Sequence, residues 1–204
     1  MILYGRDLSP FVRRVAVWCA IYGLPVERRR LAAMEPADAD AIRAVHPGLR
    51  VPALELDDAT VLIDSVAICD WLDEQAGEAR LVPAAGPARR DCLQRIALAQ
   101  ATCEKAVALV YEKNRRPAEL HWLEWQARIV GQIRGGLAAL EAAAPEDGWW
   151  GGDRPDGSDL MVPICWQFIE STNPGALDPG YPRLAALVER AMAVPSLAAT
   201  DPRP

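Results

Sequence analysis

The hydrophobic pattern of the chain changes character near residue 77. Before that point, short apolar runs alternate with helical periodicities. Ile2 to Tyr4 reads as a strand. Pro10 to Tyr22 reads as a helix, because Val12, Val15, Ala16 and Cys19 recur at i, i+3, i+4 and i+7. Gly23 ends it and Pro25 follows. Val26 to Leu31 predicts a second strand, and Asp38 to Val45 a short helix stopped by Pro47-Gly48. Pro52 to Leu56 and Thr60 to Ile63 make two strands joined by Asp57-Asp58-Ala59, a hairpin signal. Ser65 to Ala76 is a helix with Ile68, Trp71, Leu72 and Gln75 along one face, closed by Gly77. The predicted order is β-α-β-α-β-β-α.

Residues 78–87 carry Pro83, Gly86 and Pro87 and read as a linker. Long helical patterns follow. Arg89 to Lys113 contains neither Gly nor Pro, and Pro117 breaks the chain. Ala118 to Ala143 predicts a second long helix, weakened by Gly131 and Gly135-Gly136. Pro145 to Gly157 is a loop, followed by shorter helices over roughly Asp159 to Glu170 and Pro182 to Val194. The fold class is therefore an α/β domain over 1–77, a linker over 78–87 and an all-helical domain over 88–204.

Composition narrows the function. The chain has 204 residues, 51% hydrophobic and 25% charged, with a formal net charge of -6. An acidic chain is a poor candidate for nucleic acid, where clustered basic charge must displace counterions. Arg28-Arg29-Arg30 is the one basic run in the first half, and a solvated strand face is favoured over a nucleic-acid patch. Five scattered cysteines (Cys19, Cys69, Cys92, Cys103, Cys165) form no C-x-x-C pair and point to reduced thiols in the cytoplasm. The two histidines, His46 and His121, complete no metal-ligand spacing, so no metal is expected. No signal peptide and no apolar run of about 18 residues is visible.

Three features carry candidate chemistry: Ser9-Pro10 opening the first helix, Arg50-Val51-Pro52 leading into the third strand, and Asp64-Ser65 opening the third helix. Taken alone, each has an ordinary reading as a helix cap or a turn. In a β-α-β-α-β-β-α layout they converge on one cleft. Two helix N-termini there present positive dipole ends to an anionic ligand. An X-Pro bond in cis would leave backbone groups able to pair with an extended peptide. Such a site suits a short acidic peptide carrying a thiol.

These residues also carry a resemblance. Ser9-Pro10-Phe11-Val12-Arg13-Arg14-Val15, His46-Pro47-Gly48-Leu49-Arg50-Val51-Pro52-Ala53-Leu54 and Asp64-Ser65-Val66-Ala67-Ile68 resemble the cytosolic-type glutathione transferases in order and spacing. The likeness extends over nearly the whole chain. Tyr111 to Pro117 and the terminal Ala199-Thr200-Asp201-Pro202 are similar to a bacterial serine-type subgroup. The resemblance implies a thioredoxin-like first domain, glutathione as co-substrate, a detoxifying transferase activity and a homodimer. It implies that Ser9 donates its hydroxyl to the glutathione sulfur. The backbone of Val51, set by a cis Pro52, pairs with the cysteinyl part. Asp64 faces the γ-glutamyl ammonium and Ser65 the adjoining carboxylate, while Arg50 approaches the glycyl carboxylate.

The energetics suit that role. A free thiol has a pKa of about 8.5. A hydrogen bond to an anion is worth roughly 1.5–3 kcal/mol, and a helix dipole roughly 0.3–1 kcal/mol. At about 1.4 kcal/mol per unit, a shift of one to two units follows. Ser9 then acts as a donor and not as a covalent nucleophile.

The second substrate, a small apolar electrophile or a peroxide, is expected between the domains, lined by Phe11, Cys103, Val107, Tyr111 and Trp166, with Arg115 or Arg116 at the edge. Serine in place of cysteine at position 9 argues against thiol exchange. Leu8 stands where the isomerase branch would carry a second serine. A non-catalytic module of the same fold, binding glutathione or a protein, is the alternative. In the second half, Asp156 and Asp159 have capping-box spacing. Pro163 falls just beyond and predicts either a kink or a later helix start.

Overall fold

The first strand organises the sheet. In the computed structural model, which describes residues 1–178 and 180–201, β1 (Ile2–Tyr4) lies between two partners. It pairs in parallel with β2 (Glu27–Arg29) and antiparallel with β3 (Ala53–Glu55), which pairs antiparallel with β4 (Val61–Ile63). The order is β2-β1-β3-β4. The parallel pair requires a crossover, supplied by α1 (Pro10–Ile21). The short α2 (Ala39–Val45) precedes β3, and α3 (Ser65–Ala76) follows β4 and packs on α1. Leu3, Val12, Val15, Leu54, Ile68 and Leu72 have no exposed surface and form the core between sheet and helices.

A second compact unit begins at Pro83. It contains α4 (Gly86–Asn114), α5 (Leu123–Ala143), α6 (Gly157–Thr172) and α7 (Pro182–Ala191). Helix α4 packs against both α5 and α6. The glycines expected to weaken α5 leave it unbroken. Gly136 has a packing role: a Cβ there would meet Thr102 Oγ1 of α4 at 2.0 Å.

Several boundaries differ from the sequence reading. Helix α4 starts at Gly86 because Pro87 sits in its first turn, where a missing N–H costs nothing. Helix α5 starts at Leu123, not Ala118. Residues Ala118–Leu120 form a separate 3-10 turn and Trp122 is extended. Helix α6 starts earlier than expected, not later, and runs through Pro163 without interruption. Its start is fixed by the capping box. Asp156 accepts from the amides of Ser158 (2.7 Å) and Asp159 (3.2 Å), and Asp159 accepts from the amide of Asp156 (2.9 Å).

The expected linker is packed at its centre and exposed at both ends. Leu81 and Val82 are buried, and their amides donate to Asp73 at 3.4 and 3.2 Å. Asp73 also accepts from the Trp18 indole at 3.1 Å and from the Tyr22 hydroxyl. Burial raises its carboxyl pKa above the ordinary range. The last described segment leaves the helical unit. Residues 194–201 belong with the first unit, where α8 (Pro195–Ala198) packs on α1. Pro202 of the terminal resemblance, and positions 202–204 of the expected helical domain, lie outside the described residues.

Candidate functional site

The sheet register brings the three sequence features to one edge. Tyr4, the last residue of β1, lies opposite Ala53, the first of β3, and Ala53 lies opposite Ile63, the last of β4. The chain therefore leaves β1 toward Ser9, enters β3 from Val51-Pro52 and leaves β4 into Asp64-Ser65, all at the same end of the sheet. Gly5 makes the closest approach. It has φ +123°, and a Cβ would meet Val12 Cγ2 at 2.4 Å and Val51 Cβ at 3.0 Å. Only a residue without a side chain lets the turn before Ser9 pass between α1 and Val51.

Ser9 is the N-cap of α1, with Pro10 at the first helical position. Its backbone C=O accepts from the Arg13 amide at 2.9 Å. Its Oγ accepts from the Val12 amide at 3.4 Å, a long bond. Ser9 is an acceptor in that contact, so its own hydroxyl proton remains available for donation. Ser9 is half-buried.

The Val51-Pro52 bond is cis, as expected. Pro52 is buried, Val51 half-buried and Arg50 exposed. His46 closes the preceding turn, its Nδ1 accepting from the Gly48 amide at 3.1 Å. Asp64 caps α3, its Oδ1 accepting from the Val66 amide at 2.7 Å. Its φ of +70° is uncommon for a residue with a side chain and costs on the order of 1–3 kcal/mol. Such strain recurs at ligand-holding positions. Asp64 is exposed and Ser65 is buried beside it. Two helix starts, α1 and α3, thus open onto one edge.

The remaining predicted site residues divide between the units. Phe11 is half-buried on α1. Cys103, Val107 and Tyr111 lie on α4 and Trp166 on α6, all in the second unit. Cys103 has no accessible surface and its thiol meets that of Cys165. Trp166 is nearly buried, edge-on to Tyr181 with centroids 6.3 Å apart. Val107 is half-buried and Tyr111 is 43% exposed. Arg116 pairs with Glu112 at 2.8 Å.

All five cysteines are buried as free thiols. Burial pushes the thiol of Cys19 up to about 11 and those of Cys69 and Cys92 to about 12. The thiolate is the reactive form, so these side chains are poor nucleophiles at neutral pH. Among the described residues, no group of three or more His, Cys, Asp or Glu converges as a metal site, and no helix is long and apolar enough to cross a membrane. The basic run at the end of β2 and just beyond it is tied to acidic partners. Arg28 and Arg30 both pair with Asp7, and Arg29 pairs with Glu27 at 3.0 Å.

Two residues near the site went unmarked in the sequence. Arg13 and Arg14 follow Ser9 on α1, and both are buried. The signal was their place beside the apolar stripe, which periodicity alone reads as a solvated flank.

Comparison with known proteins follows the same outline. The N-terminal domain family of the glutathione S-transferases matches residues 3–80, and their C-terminal domain family matches residues 124–190. A maleylacetoacetate isomerase of Pseudomonas aeruginosa is 31% identical over 168 residues, covering 79% of this chain and 76% of the relative. A crystal structure of a glutathione transferase family member from Pseudomonas fluorescens with bound glutathione is 30% identical, covers 100% of this chain and 99% of its own, and superposes with a TM-score of 0.86. A glutathione S-transferase from Methylobacillus flagellatus, also with glutathione bound, is 25% identical with 99% coverage of both chains and a TM-score of 0.89.

Proposed function

The chain belongs to the glutathione S-transferase family, and from that premise we propose that it binds glutathione and activates its thiol for attack on a small apolar electrophile. The supporting observation is the register that gathers Ser9, Val51-Pro52 and Asp64-Ser65 at one sheet edge. Ser9 supplies the hydroxyl donor and the α1 N-terminus the favourable field, together lowering the thiol pKa into the neutral range. The Val51 backbone receives the cysteinyl part of the peptide. Asp64 pairs with the γ-glutamyl ammonium, and Ser65 with the α3 N-terminus holds its carboxylate. Arg50, exposed and next to Val51 in the chain, meets the glycyl carboxylate.

Reaction at the sulfur then follows simple accounting. The glutathione thiol gives its proton to solvent, and the thiolate lone pair forms the new C–S bond. The leaving group departs with the displaced electron pair, or, in an addition, the acceptor carbon takes a proton. Ser9 contributes electrostatic stabilisation throughout and forms no covalent bond.

Serine at position 9 supports a place in the serine-type branch, with thioether formation or peroxide reduction ahead of thiol exchange. A homodimer fits the first unit, where Val61 and Ile63 of β4 and Val66 of α3 leave 36–42% of their surfaces open on adjacent elements. Five free thiols suit a reducing cytoplasm. A second reading is glutathione-dependent isomerisation, favoured by the P. aeruginosa relative. The absence of a second hydroxyl at Leu8 weighs against it.

Calorimetry with glutathione, paired with turnover of a generic chloronitroarene and of maleylacetoacetate, separates these readings. Glutathione binding in the millimolar range or tighter, with arene turnover dependent on Ser9, supports the transferase. Binding with turnover of maleylacetoacetate alone supports the isomerase. No glutathione binding removes both.

A further inference from the structure

A buried arginine of α1 grips the C-terminal segment that returns to the first unit. Arg13 is 1% exposed. Its Nη2 donates to the Leu197 carbonyl at 3.1 Å and its Nε to the Thr200 hydroxyl oxygen at 3.2 Å. The Thr200 hydroxyl lies within donating distance of the carbonyls of Leu197 (3.1 Å) and Ser196 (3.2 Å). Leu197 is wholly buried. The carbonyls at the end of a helix have no partner within it. Here α8 ends against a guanidinium that satisfies one of them. Burying a guanidinium costs several kcal/mol unless its donors are paired, so the pairing fixes where both the arginine and the tail sit.

The same residue holds Ser9. The Arg13 amide donates to the Ser9 carbonyl at 2.9 Å, the first helical bond of α1. Ser9's own side-chain cap is long, at 3.4 Å, and orients the turn weakly. On the other side, Asp7 is held by Arg28 and Arg30. The first turn of α1 therefore gains its fixed position from anchors on either side of Ser9, and the tail is one of them.

We propose that Arg13 is a positioning residue. Through its grip on Leu197 and Thr200, it sets the first turn of α1 so that the Ser9 hydroxyl meets the glutathione sulfur. The C-terminal tail thereby helps to determine the acidity of the bound thiol. This inference rests on the reading of Ser9 as thiol activator, and its test keeps the two apart.

The experiment compares full-length wild type, Thr200→Val, Thr200→Ser, Arg13→Lys and Ser9→Ala. It reads the pKa of bound glutathione from thiolate ultraviolet absorbance across pH, with glutathione affinity and Tm measured alongside. Thr200→Val preserves shape and removes only the hydroxyl, so it remains folded if Arg13→Lys does not. The expected result is a raised thiol pKa in Thr200→Val and Arg13→Lys, equivalent to about a fivefold smaller thiolate fraction below the midpoint. Glutathione affinity stays within about twofold, and Thr200→Ser behaves as wild type. A lowered Tm in Thr200→Val with an unmoved thiol pKa overturns the proposal and leaves the tail a stabilising contact only. If Ser9→Ala itself leaves the pKa unmoved, or glutathione does not bind, the reading of Ser9 fails and the proposal falls with it. If Ser9→Ala raises the pKa and the Thr200 and Arg13 variants do not, the proposal alone fails.

Discussion

The two units start their key helices in opposite ways. In the first, α1 and α3 open with lightly committed caps. Ser9 accepts one amide at 3.4 Å, and Asp64 accepts one at 2.7 Å while exposed to solvent. In the second, α6 opens with a sealed cap. Asp159 is wholly buried and accepts from the amides of Trp150, Gly151 and Asp156 at 3.0, 3.0 and 2.9 Å. Asp156 accepts from Ser158 and Asp159 and pairs with Arg95 at 3.1 Å. The same residue types at the same helical position do different work. A cap with spare donors and open surface can meet a ligand, whereas one whose groups are all engaged in the interior holds the fold.

That contrast predicts opposite consequences for the two kinds of cap. The largest effect is on stability, from Asp159→Ala. It strands the buried amide of Asp156 and the part-buried amides of Trp150 and Gly151, at about 1–3 kcal/mol for a fully buried one, so denaturant unfolding should show a loss of about 3 kcal/mol. Turnover per folded molecule should be unchanged. A loss below about 1 kcal/mol would put α6 on the same footing as α1. Next comes Ser9→Ala, with little stability lost because its cap bond is long. At pH 6.5 its kcat/KM should fall about ten- to one-hundredfold, the equivalent of roughly 1.5–3 kcal/mol. A variant that lost stability but kept its rate would make Ser9 a cap and nothing more.

Asp64→Asn sharpens the comparison further. Asparagine caps helices well and tolerates positive φ, so the fold should keep its stability while the charge is lost. Glutathione should bind about tenfold more weakly, as read by calorimetry. The smallest effect concerns pH. Burial raises the Asp159 pKa to about 6, against about 3.9 in an unfolded chain. The folded state then takes up this proton first, so the group's contribution to stability is greatest below pH 4 and is lost as pH rises through 6. The stability gap between wild type and Asp159→Asn should therefore shift in favour of wild type on going from pH 7 to pH 5. A constant gap would contradict it.

Periodicity made most of the architecture legible. The α3 boundaries, Ser65 to Ala76, follow directly from cap, apolar face and Gly77. The first strand matches the sequence reading, whereas the fourth is shorter by one residue, the third by two and the second by three, because pattern alone does not show where ladder pairing stops. Pro163 suggests a later helix start, but the buried box of Asp156 and Asp159, seven and four residues upstream, fixes the start at Gly157. At the site, the three motifs were visible as residue types, but their convergence depends on register, which pairs Tyr4 with Ala53 and Ala53 with Ile63. The burial of Arg13 and the return of the tail were not legible. Contacts between residue 13 and residues 197–200 depend on long-range packing that no local pattern encodes.

The central claim is that Ser9, at an open helix start, makes a bound thiol acidic. The most direct test is the ultraviolet pH titration of glutathione bound to wild type, repeated with Ser9→Ala. The account predicts a bound thiol pKa of about 6.5–7.5, one to two units below the free value of about 8.5, and a return toward the free value when the hydroxyl is removed. A thiol that titrates at its free value in the wild-type complex would contradict it.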